Sequence, residues 1–327
     1  MMHAIAITGP TASGKTALGI AVARELSGEI ISCDSMQIYK EMRIGTAKPT
    51  DEERAAVPHH LIDFLSPDIS YSADNYRAAA ISAAEDIISR GRLPIFVGGT
   101  GLYIDTVARA AQEAPPSDPK VRERILARSG GDADRLWQRL YEIDPASAEK
   151  THKNNMKRVL RALEIYEVTG KPKSYFDGLS LTAEPPIRIS MITLDFHDRE
   201  LLYRRIDERV DIMLSEGLLE ETRSLYERGY LAPDRTAAQA IGYKELLGFI
   251  EGRTSLGEAV DELKLASCRY AKRQLTWFRR ENAYRLYLDT EDGRMREMSD
   301  ICAELFAVAR KFLEENSESN DIKEENL

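Results

Sequence analysis

The 327-residue chain predicts an α/β fold, a doubly wound parallel sheet carrying a helical insertion domain. Three observations lead there. An apolar run from Ala4 to Ile7 delivers the chain into a glycine-rich turn, and residues Thr16 to Leu26 continue as a helix. Two more buried-strand patterns, Glu29 to Ser32 and Pro94 to Val97, each follow a helical stretch, which is the β-α-β-α rhythm of a parallel sheet. From about Glu113 to Pro186 no core strand can be read, yet strand patterns resume beyond it.

Taken in chain order, the turn Gly9-Pro10-Thr11-Ala12-Ser13-Gly14-Lys15-Thr16 fits the phosphate-binding pattern G-x-x-x-x-G-K-[ST], so the core is P-loop NTPase-like. Its glycines let backbone N–H groups turn inward, Lys15 can reach a terminal phosphate, and the Thr16 hydroxyl can ligate Mg²⁺. A di- or triphosphate is therefore the expected occupant. The second strand ends in Ser32-Cys33-Asp34-Ser35-Met36-Gln37-Ile38-Tyr39, which puts Asp34 at the carboxyl edge where open α/β sheets bind ligands. That carboxylate can hold Mg²⁺ through water, act as a general base, or cap the local turn. Gln37 offers a donor and an acceptor suited to a base edge. A helix is expected from Ala73 to Arg90, and the third strand runs into a second glycine turn, Gly98-Gly99-Thr100-Gly101-Leu102-Tyr103, at the same edge.

Ala114-Pro115-Pro116-Ser117-Asp118-Pro119 reads as a linker into helices that stop at Gly130-Gly131 and Gly170-Lys171-Pro172. The sheet resumes at Arg188 to Leu194, followed by a helix from Asp198 to Glu216 and a last strand at Tyr284 to Leu288. The expected division is a discontinuous core of 1–112 and 187–312, an insertion of 113–186, and an acidic, disordered tail of 313–327.

Composition narrows the class. With 43% hydrophobic and 30% charged residues and no apolar run of membrane length, the chain reads as globular, with no membrane partner. A strand close to Met1 leaves no room for a targeting segment, so a cytoplasmic location is expected; a monomer is expected as well. Cys33, Cys268 and Cys302 lack zinc or disulfide spacing, and neighbouring His59 and His60 point apart, which argues against a metal centre there. The net charge of −9 counts against a polyanionic partner, but the tail holds much of the acidity. Between Lys264 and Arg280, helical spacing gathers Arg269, Lys272, Arg273, Thr276, Arg279 and Arg280 on one arc, opposite Leu263, Ser267, Cys268, Ala271, Leu275 and Phe278. Lys157, Arg158 and Arg161 form a second basic side in the insertion, and the two could clamp a polyanion. Arg204, Arg205, Arg209 and Arg223 are further cations for a leaving pyrophosphate.

These motifs, with Gly45-Thr46-Ala47-Lys48-Pro49, Gly242-Tyr243 and Lys272-Arg273-Gln274-Leu275-Thr276-Trp277-Phe278-Arg279, resemble the bacterial tRNA dimethylallyltransferases from the first strand to about Asp289. The resemblance implies transfer of a dimethylallyl group from dimethylallyl diphosphate to N6 of the adenosine at tRNA position 37, with pyrophosphate released. It implies Asp34 as general base, Thr100 and Arg223 at the diphosphate, Gly9 to Thr16 as its cradle, and Mg²⁺ on Thr16. It further implies a base flipped out of the anticodon stem-loop and contacts to tRNA from Asp34, Ser35, Met36, Gln37, Thr100 and Arg122. The insertion would add Lys157, Arg158, Val159, Leu160 and Arg161; the core would add Gln239, Ala240, Ile241, Gly242, Tyr243, Lys244, Lys272, Arg273, Gln274, Thr276, Trp277 and Arg279. Arg209 fits either substrate. The competing readings are a small-molecule kinase using ATP and a non-catalytic tRNA-binding protein.

Overall fold

The computed structural model describes residues 2–109, 114–182, 184–279 and 283–324, and at 180–182 and 317–324 the backbone alone. Among them, six parallel strands form one sheet: β1 (Met2–Thr8), β2 (Gly28–Ser32), β3 (His59–His60), β4 (Leu93–Gly98), β5 (Ile187–Asp195) and β6 (Tyr284–Tyr287), in the order β3-β2-β4-β1-β5-β6. β1 is central, flanked by β4 and β5, so it is covered on both faces and reads as a continuous apolar run. Alternation divides its side chains. Ile5 and Ile7 join a core with Leu18, Ile206, Leu275 and Leu305, whereas Ala4 and Ala6 face Tyr76, Ala80 and Tyr103. Helices thus pack on both faces, as the doubly wound fold requires.

Strand β3 is an addition to the expected five. His59 and His60 pair in parallel with Ile30 and Ile31 at the sheet edge, and consecutive strand residues point to opposite faces, which separates the two imidazoles. His60 Nε2 lies 2.7 Å from the carboxylate of Glu29, a residue only 2% exposed that also accepts from Arg90 Nη2 at 2.9 Å. Among the described residues no cluster of three or more His, Cys, Asp or Glu could hold a metal, and no helix is long and apolar enough to cross a membrane.

The chain forms two compact units, Met1–Val107 with Ile187–Leu327, and Ala108–Pro186. The expected boundary at 112/113 falls on residues outside those described. In the second unit the side chains of Asp118, Asp132, Asp144 and Asn155 cap successive helices, and Gly130 and Gly170 end two of them. Its core is Val121, Ile125, Leu136, Leu140, Val159, Leu160 and Leu163. Val159 and Leu160 were expected to touch RNA, but they are buried there by the helical period; Lys157 and Arg158 are exposed. Arg122 and Arg161 are engaged by the fully buried Glu164, at 3.1 and 3.4 Å. Burial alone would raise the Glu164 carboxyl, but Ser117, the Asp118 N–H and Arg122 hold it below its ordinary value.

The last helix, Met298–Glu324, also departs from expectation, because it carries residues 313–324 of the segment expected to be disordered. Its buried side, Ile301, Leu305 and Ala309, joins the core; 325–327 lie outside the described residues.

Glu29 gives this fold an acid-sensitive point. Hydrogen bonding from Arg90, above all, holds its carboxyl down at about 2 against opposing burial. A depressed carboxyl stabilises the fold above the unfolded value of about 4.3 and loses that contribution as pH falls toward 2. In urea unfolding, wild type should therefore exceed Glu29→Gln in stability at pH 7, and the gap should close between about pH 4.3 and 2. A gap independent of pH would refute this assignment.

Candidate active site

The site grows from the carboxyl ends of β1, β2 and β4. Past Thr8 the chain turns through residues 9–14, with Gly14 in the left-handed region (φ 78) immediately before the helix Lys15–Glu25, which has no side-chain cap. The first N–H groups of that helix are left for an anion. Three bonds shape the loop around this opening: Ser13 Oγ and Lys15 Nζ donate to the Pro10 carbonyl at 2.8 and 2.5 Å, and Arg205 Nε donates to the Ala12 carbonyl at 3.1 Å. Burial pushes the Lys15 ammonium down to about 7, the nearby Arg209 adds to this, and Asp34 opposes it. Two cations crowd this pocket. They favour a site that takes negative charge from a ligand.

A cavity of about 500 Å³ opens above the loop. Thr11, Gly14, Lys15 and Thr16 line one side; Asp34 to Gln37, Gly45 to Pro49 and Gln239 to Gly242 line others, with Arg209, Tyr270 and Gln274 between them. Asp34 is fixed by its own turn: Oδ1 accepts from the N–H groups of Met36 at 2.9 Å and Gln37 at 3.3 Å. Thr100 sits behind it. Its N–H donates to the Cys33 carbonyl at 3.0 Å and its Oγ1 accepts from the Ser35 N–H at 3.1 Å, so the β2 and β4 turns are stitched together.

Gln274, from the helix Leu256–Phe278, was expected to touch RNA. It is 4% exposed and instead joins the two glycine turns, accepting from Thr11 N–H at 2.8 Å and donating to the Gly99 carbonyl at 3.0 Å. Gln37 is likewise occupied. Its amide donates to the carbonyls of Thr46 and Ala47, both at 3.1 Å, and accepts from Ser32 Oγ at 3.2 Å, so it has no idle donor for a base edge. Tyr243 is fully buried and donates to Glu221 at 2.7 Å, which removes it from ligand contact.

Other expected positions fall where a ligand can reach them. Gln239, Ala240, Ile241 and Gly242 line the cavity, although the Ala240 side chain is itself buried. Lys244 is exposed. On the long helix, Lys272, Arg273, Thr276 and Arg279 are exposed, Trp277 is half-buried, and Arg280 lies outside the described residues. Arg273 stands 5.7 Å from the Tyr270 ring centre. Arg223 is not brought to the cavity: it is exposed on the helix Leu218–Glu227, whereas Arg209 lines the wall. Burial pulls the Arg209 guanidinium below its usual value, with Asp34 opposing. Sequence reasoning gave no role to Tyr270, Lys48 or Glu221. The Lys48 motif was visible, but its partner Asp63, 2.6 Å away, was not.

Thr16 lines the cavity, and among the described residues no protein group bonds its hydroxyl. A hydroxyl and a carboxylate lining one cavity are hard-oxygen donors that fit Mg²⁺, whose remaining ligands would be water and phosphate.

A family model described as IPP transferase matches residues 37–281, and one described as Isopentenyl transferase matches 2–63. A tRNA dimethylallyltransferase of Geobacillus thermodenitrificans is 50% identical over 85% of this chain and 87% of its own, and one of Thermoanaerobacter pseudethanolicus is 46% identical over 84% and 88%. Among solved structures, the tRNA isopentenylpyrophosphate transferase of Bacillus halodurans superposes with a TM-score of 0.73 at 40% identity, over 98% of this chain and 100% of that one. A eukaryotic dimethylallyltransferase acting on tRNA superposes with a TM-score of 0.77 at 32% identity, over 88% and 74%.

The Gln274 clasp has a measurable consequence. Gln274→Leu keeps the volume but strands the Thr11 N–H and the Gly99 carbonyl, and should cost about 1–3 kcal/mol in chemical denaturation. Unchanged stability would show that water replaces the clasp.

Proposed function

The chain belongs to the IPP transferase family, and from that premise we propose that it transfers a dimethylallyl group from dimethylallyl diphosphate to N6 of the adenosine at tRNA position 37, releasing pyrophosphate. The observation that carries the reading is one cavity holding a phosphate loop and a turn-oriented carboxylate, both at the carboxyl edge of the sheet. An adenine amine is a weak nucleophile and diphosphate a charged leaving group. The site meets these two demands with different groups.

In the reaction, the bond from C1 of the prenyl group to the diphosphate oxygen breaks as the bond from C1 to N6 forms. The proton lost from N6 goes to Asp34, whose Oδ1 is held by two N–H groups while, among the described residues, no protein hydrogen bond reaches Oδ2. The departing oxygens are met by the N–H groups at the start of the helix Lys15–Glu25 and by Lys15, donors arranged before the charge develops. Mg²⁺, when held by Thr16 with water, would add charge neutralisation at the diphosphate.

The target base has to leave its stack to reach a cavity at the sheet edge. The walls Asp34 to Gln37 and Gln239 to Gly242 would surround it, and Ile241 can offer it backbone groups, since the Ala240 N–H and carbonyl and the Gly242 N–H bond to Ala237, Lys244 and Glu245. Exposed Lys272, Arg273, Thr276 and Arg279 in the core, and Lys157 and Arg158 in the insertion, are suited to the phosphate backbone of the anticodon stem-loop. The enzyme is taken as a monomer working on cytoplasmic tRNA.

Nucleoside mass spectrometry after incubation with tRNA and dimethylallyl diphosphate should show prenylated adenosine. Asp34→Asn should slow its formation by about 10²- to 10⁴-fold while filter retention of tRNA is kept. A variant as fast as wild type would remove Asp34 from proton transfer. Turnover with ATP in place of the prenyl donor would replace this reading with a kinase.

A further inference from the structure

Glu221 does work that neither the phosphate loop nor the basic faces explain. Its carboxylate accepts from three consecutive backbone N–H groups, Arg43 at 3.0 Å, Ile44 at 3.0 Å and Gly45 at 3.1 Å, and from the Tyr243 hydroxyl at 2.7 Å. The carbonyls of the same three peptide units are also engaged. Met42 O accepts from Thr46 Oγ1 at 2.5 Å, Arg43 O from Lys48 N–H at 3.0 Å, and Ile44 O from Ala47 N–H at 2.9 Å. Because each peptide is planar, holding both ends of three in succession fixes the turn as a unit. The far side of this turn presents the Thr46 and Ala47 carbonyls that hold the Gln37 amide. Gly45 lies so close to Tyr243 that a Cβ would sit 2.6 Å from its ring, so turn and phenol fit only without a side chain there.

We infer that Glu221 is a positioning residue for the cavity wall beside Asp34, acting through the turn 43–47 on Gln37. The inference rests on the reading of the cavity as the place where the target adenine is held. Glu221 touches no substrate. Its carboxylate is the anion that lets a loop rich in unpaired N–H groups close, and a neutral amide in its place would turn a donor toward those N–H groups.

The test is a cycle of Glu221→Gln, Gln37→Ala and the double variant, with KM measured for tRNA and for dimethylallyl diphosphate. Glu221→Gln should raise KM for tRNA about tenfold and change KM for the diphosphate less than about twofold. On the Gln37→Ala background the same substitution should add less than about twofold. Equal effects in both backgrounds, equal effects on both substrates, or no effect would overturn the inference, since a merely structural role has no reason to spare one substrate or to vanish with Gln37. Tyr243→Phe removes one hydrogen bond and keeps the ring; if Glu221→Gln does not fold, it should give the same split at about threefold, and its absence would be equally decisive. Should wild type transfer no prenyl group, the proposed function falls on its own, and filter retention of tRNA by the same four proteins reads the cycle instead.

Discussion

A phosphate-binding turn has to leave several backbone N–H groups unbonded and still hold its shape, and the structure meets that constraint with side chains of the turn itself and others brought from outside it. Gln274 takes the Thr11 N–H and the Gly99 carbonyl, Arg205 takes the Ala12 carbonyl, and Lys15 and Ser13 share that of Pro10. What remains open is the start of the helix Lys15–Glu25, where an anion is wanted. Because Gln274 grips β1's turn and β4's turn together, the long helix that carries it is set against the sheet edge, and the cavity takes its outline from that placement.

Electrostatics in the site point the same way. Lys15 and Arg209 stand near each other on the cavity wall, burial disfavours the charged form of both, and Asp34 is the opposing charge. An anionic ligand such as the proposed diphosphate would relieve the energetic cost of this arrangement. Donors already in place need no reorganisation when negative charge builds on the leaving group, which is how a preorganised site lowers a barrier. Asp34 is oriented by its own turn at the end of β2, whereas the phosphate loop follows β1, so in the proposed reaction proton removal and charge neutralisation would fall to different strands.

Much of this could be read in the chain because it is local. The strand, turn and helix around residues 4–26 follow from contiguous residues and a period of two giving way to one of 3.6, and the position of Asp34 follows from the strand before it. Other elements were not legible for a definite reason. A two-residue edge strand at His59 and His60 has too little pattern to show a period, and its existence depends on pairing with Ile30 and Ile31. Gln274 and Tyr243 lie within motifs that looked like RNA contacts. Their burial depends on partners 263 and 22 residues away in the chain, Thr11 and Glu221.

The amino-acid sequence by itself determined the α/β class, the phosphate turn from Gly9 to Thr16, the carboxylate at the β2 edge and the basic spacing of the long helix, since each depends on residues a few positions apart. Tertiary structure alone decided which polar side chains face a ligand and which hold the scaffold. Gln37 and Gln274 went to the scaffold because backbone groups came within their reach, Tyr243 because the Glu221 carboxylate did, and Arg209, on the helix Arg199–Ser215, lines the cavity while Arg223, on the helix Leu218–Glu227, is exposed away from it. The physical reason is that hydrogen-bond satisfaction in a buried site is settled by distance in space, and sequence patterns report only distance along the chain.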